Sequence, residues 1–223
     1  ATGVKMMDGK VFSEKNIISG AGVITTYDKL LPKKIVQKHQ LKEQLKTVKR
    51  SVSHACLYIG LKGSPEELKL PKTNYWIYPD KIDHDTAINN YTTDLDADFP
   101  VVYISFPSAK DPDWSNRYPG KSTIDIITLL PYEPFDKWKD SNWMKRNEEY
   151  TALKEKIAQR LLGELYRQLP HLEGNIEHYE LSTPLTTKHF INYEEGEIYG
   201  LDHTPKRFRQ RFLKPKTPIK NFY

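Results

Sequence analysis

The 223-residue sequence predicts an α+β protein built on a mixed, largely antiparallel sheet with flanking helices. Three observations lead there. Between His54 and Tyr132, four runs rich in β-branched and aromatic residues follow one another with loop-length connections, which suits antiparallel pairing. From Asn147 to Leu169, apolar residues recur every three or four positions, the spacing of one helix face. Near the start, Asp8-Gly9 stands between alternating apolar residues, the dipeptide preferred in two-residue hairpin turns.

In chain order, Val4 to Phe12 reads as that hairpin, and "NIIS" (Asn16 to Ser19) as a third short strand. Pro32 stands where a helix can begin. Ile35, Leu41, Leu45 and Val48 then trace a helical stripe through Lys33 to Lys49. Strands are expected over His54 to Gly63, Asn74 to Pro79, Phe99 to Pro107 and Ser122 to Tyr132, bracketed by proline and glycine. The long helix carries Tyr150, Leu153, Ile157, Leu161, Leu162 and Leu165 on its stripe, and Pro170 stops it. Asn175 to Thr183 gives one more strand. A short helix follows, with Thr183 as its cap and Pro184 at its first position.

Composition narrows the function classes. An apolar share of 38% with 4 Trp, 14 Tyr and 8 Phe indicates a packed core rather than disorder. The one cysteine, Cys56, rules out an internal disulfide framework and a paired-cysteine zinc site, and suggests a reducing, cytoplasmic location. No apolar run approaches the eighteen or so residues that a membrane-crossing helix requires. The net charge of +5 is concentrated: Lys33 to Arg50 holds seven Lys/Arg against one Glu, and His203 to Tyr223 holds seven with no acid. Two basic segments on an acidic body can face phosphates or lipid headgroups, and the 33–50 run is a candidate for peripheral membrane contact. The alternative is a pair of solvated surface segments.

Familiar chemical motifs fail on spacing. "DLDADF" (Asp94 to Phe99) starts like a calcium loop but has Phe99 at the required glycine and Ser105 at the required bidentate glutamate. "YPGKST" ends like a phosphate-binding loop, yet Ser115 stands at its first glycine and a β-rich run follows. The histidines form no metal signature, so no metal ligand is assigned. The tail "KRFRQRFLKPK" interleaves Phe208 and Phe212 with arginines, but nothing resembling a nucleic-acid module accompanies it, and nucleic acid is disfavoured as a partner. "SGAG" (Ser19 to Gly22) imitates a dinucleotide fingerprint whose third glycine position is Thr25.

Four segments carry more. "NIISGAGVITTYDKLLP", "FPVVYISFPSAKDPDWSNRYPGKSTIDIITLLPYEPFDKWK", "LSTPLTTKHFINYEEGEIYGLDHTPKRF" and "KPKTPIKNFY" together resemble the flavin-dependent family of carotenoid isomerases, retinol saturases and phytoene desaturases. The likeness is closest to the retinol saturase and carotenoid isomerase branch.

The resemblance implies a map. Residues 1–31 are expected to be the last part of a first FAD-domain segment, 32–205 a substrate-binding domain and 206–223 a return toward the FAD domain. Both ends then read as cut from a longer chain, with FAD belonging to the intact parent and not held by this piece alone. Ser19, Gly20, Ala21 and Gly22 match a turn close to the flavin. Phe190, Tyr193, Tyr199 and Gly200 match the wall of a substrate tunnel, and Tyr199 and His203 are the candidate polar groups near the reacting bonds. The implied partner is a long apolar polyene and the implied reaction a flavin-dependent reduction, desaturation or isomerisation of carbon–carbon double bonds. A non-enzymatic ligand-binding or scaffold module of α+β type is the alternative.

Overall fold

The Asp8-Gly9 signal forms its hairpin: β1 (Gly3–Lys5) pairs antiparallel with β2 (Val11–Ser13), Val4 opposite Phe12, with Gly9 at φ 88° in the turn. It belongs to the first of two compact units, Ala1–Ser51 with Glu197–Tyr223; the second is Val52–Gly196. The computed structural model describes residues 1–223.

Within the first unit, Ile17 bridges in parallel to Phe222. The N–H of Ser19 donates to the carbonyl of Tyr223 at 2.8 Å, and that of Tyr223 to Ile17 at 2.9 Å. "NIIS" therefore makes a single bridge here in place of the expected strand. Val23–Thr25 starts a helical segment that widens into a π-turn over Thr26–Leu30. Tyr27, Val36, Leu41 and Phe222 are its buried core.

The stretch from Lys33 to Lys49 departs from the single helix its stripe predicts. It makes two short helices, Lys33–Lys38 and Leu41–Leu45, separated by Gln40 in a left-handed conformation, φ 51°. The Gln44 side chain donates to the His39 carbonyl at 2.8 Å and holds the break. The break lets Val36 and Leu41 both enter one small core, which outweighs helix continuity. The chain leaves and re-enters this unit side by side. Ser51 N–H donates to Gly200 O at 3.0 Å and Asp202 N–H to Lys49 O at 2.9 Å. Beside this pairing the Arg50 Nε lies 3.5 Å from the buried Glu197 carboxylate.

The second unit is a five-stranded sheet in the order β4-β5-β6-β3-β7, made of β3 (His54–Lys62), β4 (Tyr75–Ile77), β5 (Val102–Ser105), β6 (Lys121–Leu129) and β7 (Ile176–Ser182). Every pairing is antiparallel. Ala55, Leu57, Ile59 and Leu61 of β3 point to the buried face, opposite residues such as Ile126 and Ile124 of β6. The helix Glu148–Gln168 supplies Ile157, Ala158, Leu161, Leu162 and Leu165 to the same core. Its cap is Asn147, whose side chain accepts the Tyr150 N–H at 3.2 Å.

The helix Pro184–Ile191 is capped as its sequence predicts, with the Thr183 N–H bonded to the Thr186 hydroxyl at 3.1 Å. One helix the sequence did not reveal, His84–Thr93, starts at Asp83, whose carboxylate accepts the Thr86 N–H at 3.0 Å. Only Ala87 and Tyr91 of it are buried, so its polar and β-branched composition concealed the period. The acidic run after it serves as a turn. Asp94 accepts the Asp96 N–H at 2.8 Å, and the Arg160 guanidinium binds the carbonyls of Leu95 and Ala97.

Leu57 is fully buried on the central strand, so Leu57→Ala is expected to lose about 3 kcal/mol of stability through lost transfer energy and a residual cavity. Urea unfolding reads this as a lower midpoint with unchanged slope. A change under about 0.5 kcal/mol would contradict the central placement of β3.

Candidate functional site

Because side chains on a strand alternate, the residues of β3 that do not enter the core emerge together on the opposite face of the sheet. The register draws them into rows. One row crosses all five strands: Trp76, Tyr103, Ile127, Cys56 and Ser182. Its Trp76 and Tyr103 rings are 4.7 Å apart, and Trp76 stays 60% exposed. The adjoining row is polar: Ser105, Asp125, Tyr58 and Glu180. Lys110 binds the Ser105 hydroxyl at 3.0 Å.

Two groups on this face, Cys56 and Tyr58, are held neutral. Burial pushes the Cys56 thiol up to about 12, and nearby Asp125 reinforces it. Tyr58 is likewise raised to about 12 by partial burial, with Cys56 and Asp125 adding to the effect. Burial also raises Asp125, against the pull of Lys110. At neutral pH the thiol and the phenol are therefore protonated donors, neither nucleophile nor base.

At one end of this face lies a recess of about 380 Å³ lined by His54, Tyr58, Trp143, Ser182, Phe190 and others. Phe190 meets Trp143 edge-on at 5.0 Å, and the His189 ring stacks flat on Trp143 at 4.6 Å. The buried His54 Nδ1 has no hydrogen-bond partner. Burial lowers the His54 pKa, against an opposing effect of the Gly196 backbone.

The residues singled out from the sequence fall as follows. Phe190 borders the recess, and Tyr193 in the same unit closes a turn by accepting the Gly196 N–H at 3.2 Å. In the first unit, Tyr199 and His203 come together edge-on at 5.7 Å, with His203 next to Phe208 at 6.0 Å. The Tyr199 N–H donates to the Ser51 hydroxyl at 3.0 Å, and Gly200 takes φ 71° beside it. The Ser19–Gly22 turn has Gly22 at φ 78°, and a side chain at Gly20 would meet nothing within 4 Å. Its backbone is thus open on that side. The Ser19 and Thr26 hydroxyls share a 2.6 Å hydrogen bond behind it.

Trp76, Tyr103, Tyr58, His54 and Trp143 were not picked out from the sequence. The signal for the first four was the period-two alternation itself, which assigns every second residue of a half-buried strand to the other face.

No family model matches the chain. Among curated proteins, it is 36% identical over 214 residues to the all-trans-retinol 13,14-reductase of Danio rerio, covering 93% of this chain and 35% of that protein. The Homo sapiens protein of the same name is 33% identical over the same lengths. The chloroplastic prolycopene isomerase of Arabidopsis thaliana is 28% identical over 202 residues, 90% of this chain and 30% of the isomerase. Over nearly all of its length, the chain is homologous to the retinol saturase and carotenoid isomerase family. It spans about a third of the length of these family members. None of its helices is long and apolar enough to cross a membrane.

The folded-state pKa of His54 lies below its ordinary 6.5, so in the window between the two the unfolded chain binds more protons and stability rises with pH. Urea midpoints at pH 7.5 and 5.5 are expected to fall further for the native chain than for His54→Gln. Equal losses in both would show that His54 is not held neutral.

Proposed function

We propose that this chain supplies the substrate-binding domain, with adjoining parts of a flavin-binding domain, of an FAD-dependent enzyme that reduces, desaturates or isomerises carbon–carbon double bonds of a carotenoid- or retinoid-like polyene. The observation that carries the reading is the 36% identity over 93% of the chain with an all-trans-retinol 13,14-reductase. The outward row of the sheet supports it physically. A hydrocarbon chain offers no hydrogen bonds, and a wall of Trp76, Tyr103 and Ile127 gains roughly 25 cal/mol for each Å² of apolar surface it covers. The neutral thiol within that row and the neutral phenol beside it add no charge that a polyene would have to desolvate.

In this reading the substrate domain lies within 32–205, and residues 1–31 and 206–223 belong with the flavin. Ser19, Gly20, Ala21 and Gly22 border the cofactor, and the open backbone at Gly20 suits a ring's approach. When bound, the flavin supplies the hydride or electron chemistry. Phe190, Tyr193, Tyr199 and Gly200 line the path of the polyene, with Tyr199 and His203 as the polar groups closest to the reacting bonds. The basic 33–50 segment, preceded by the exposed Leu30, meets an anionic membrane surface from which an apolar substrate is drawn.

All-trans-retinol titrated into the chain is expected to quench tryptophan fluorescence. Trp76→Ala is expected to weaken that binding about fivefold, an effect of roughly 1 kcal/mol. Octadecanol binding as tightly as retinol would overturn the polyene reading. Added FAD is expected to elute separately from this chain on gel filtration, and co-elution would show that the Ser19–Gly22 segment holds it unaided.

A further inference from the structure

A second recess of about 450 Å³ lies on the other side of Trp143 and is lined by Met144, Arg146, Tyr150, Lys154, Ala158 and Leu181 among others. Arg146 is half-buried and held in place. Its Nε donates to the Ser141 hydroxyl at 2.9 Å, and a terminal nitrogen reaches the Tyr150 hydroxyl at 3.4 Å. The guanidinium lies 4.7 Å from the Tyr150 ring centre and 5.7 Å from that of Trp143. Tyr150 is fixed in turn by the buried Thr183 hydroxyl at 2.8 Å.

What this cation lacks is an acid. The two glutamates of the recess are engaged elsewhere: Glu155 accepts from Tyr179 and Gln159, both at 2.7 Å, and Glu180 faces Lys154 at 3.8 Å. Arg146 has five N–H donors, and its hydrogen bonds here use two of its three nitrogens. A planar fork that is oriented, partly desolvated and without a counter-ion is suited to bidentate contact with a carboxylate. Trp143, Met144, Ala158 and Leu181 form the apolar part of the lining, which Thr151, Tyr179 and the Glu180-paired Lys154 complete. We infer that this recess binds an apolar carboxylate, its hydrocarbon body along Trp143 and Leu181 and its head on Arg146. Such a ligand is an acid amphiphile, different in head group from the neutral polyene proposed for the outward row.

Isothermal titration of the full chain with dodecanoate, kept below its micellar concentration, tests this against dodecanol and acetate. Dodecanoate is expected to bind about tenfold more tightly than dodecanol, the equivalent of about 1.4 kcal/mol for a charge-assisted contact. Acetate is expected to bind far more weakly than dodecanoate. Arg146→Ala should remove the preference for acid over alcohol, and Arg146→Lys should keep part of it. Because Arg146 also braces Tyr150, a salt series on the native chain gives an independent reading: the preference should shrink as ionic strength rises. Equal affinity for acid and alcohol, a preference that survives Arg146→Ala, or one indifferent to salt would overturn the inference. So would acetate binding as well as dodecanoate. Retinol titrated alongside separates the two readings, since its binding does not involve Arg146: retinol can fail while the acid preference stands, and the reverse.

Discussion

The alternation of β3 is the constraint on which the second unit depends. This strand pairs along nine residues with β6 and along most of its length with β7, so the direction of every side chain is fixed by its neighbours on both edges. Odd residues from Ala55 to Leu61 are driven inward against the helix Glu148–Gln168. Even residues must then emerge on the far side, in register with Ile127, Asp125, Ser182 and Glu180. A slip of one residue would exchange core for site. The burial that stabilises the unit and the row that forms its outward face are two results of one hydrogen-bonded ladder.

The character of that face follows from what surrounds each group. Cys56 and Tyr58 carry chemistry by type, yet both are held neutral: burial penalises their ionised forms, and the carboxyl of Asp125 opposes any added negative charge. Beside Trp76 and Tyr103 the thiol and the phenol thus stay protonated at neutral pH, with Asp125 and Glu180 in the adjoining row. The recess at Arg146 is different in kind, because there a fixed charge is left without its complement.

Some departures from the sequence reading share a cause. The stripe from Ile35 to Val48 was real as a pattern, but it breaks at Gln40 so that Val36 and Leu41 enter one small core with Tyr27 and with Phe222, a residue far away in the chain. Asn16 to Ser19 has strand composition and forms one bridge, to Phe222, through contact with residues about two hundred positions away. His84–Thr93 shows the converse: a helix with two buried residues is held by its cap at Asp83 and by tertiary contact, not by periodicity.

The sequence by itself determined the elements whose pattern is long and locally consistent: the hairpin at Asp8-Gly9, the five strands of the sheet, the capped helices after Asn147 and Thr183, and the family to which the chain is homologous. Local rules suffice there because turn chemistry, capping and a period of two or 3.6 all act within a few residues. Only the tertiary structure decided which strands are neighbours, and hence that Trp76, Tyr103, Ile127 and Cys56 form one row although they come from four separate strands. It alone also left Arg146 without an acid and the Nδ1 of His54 without a hydrogen-bond partner. Pairing partners and unmet charges are properties of distance in space, and a linear pattern carries no measure of that.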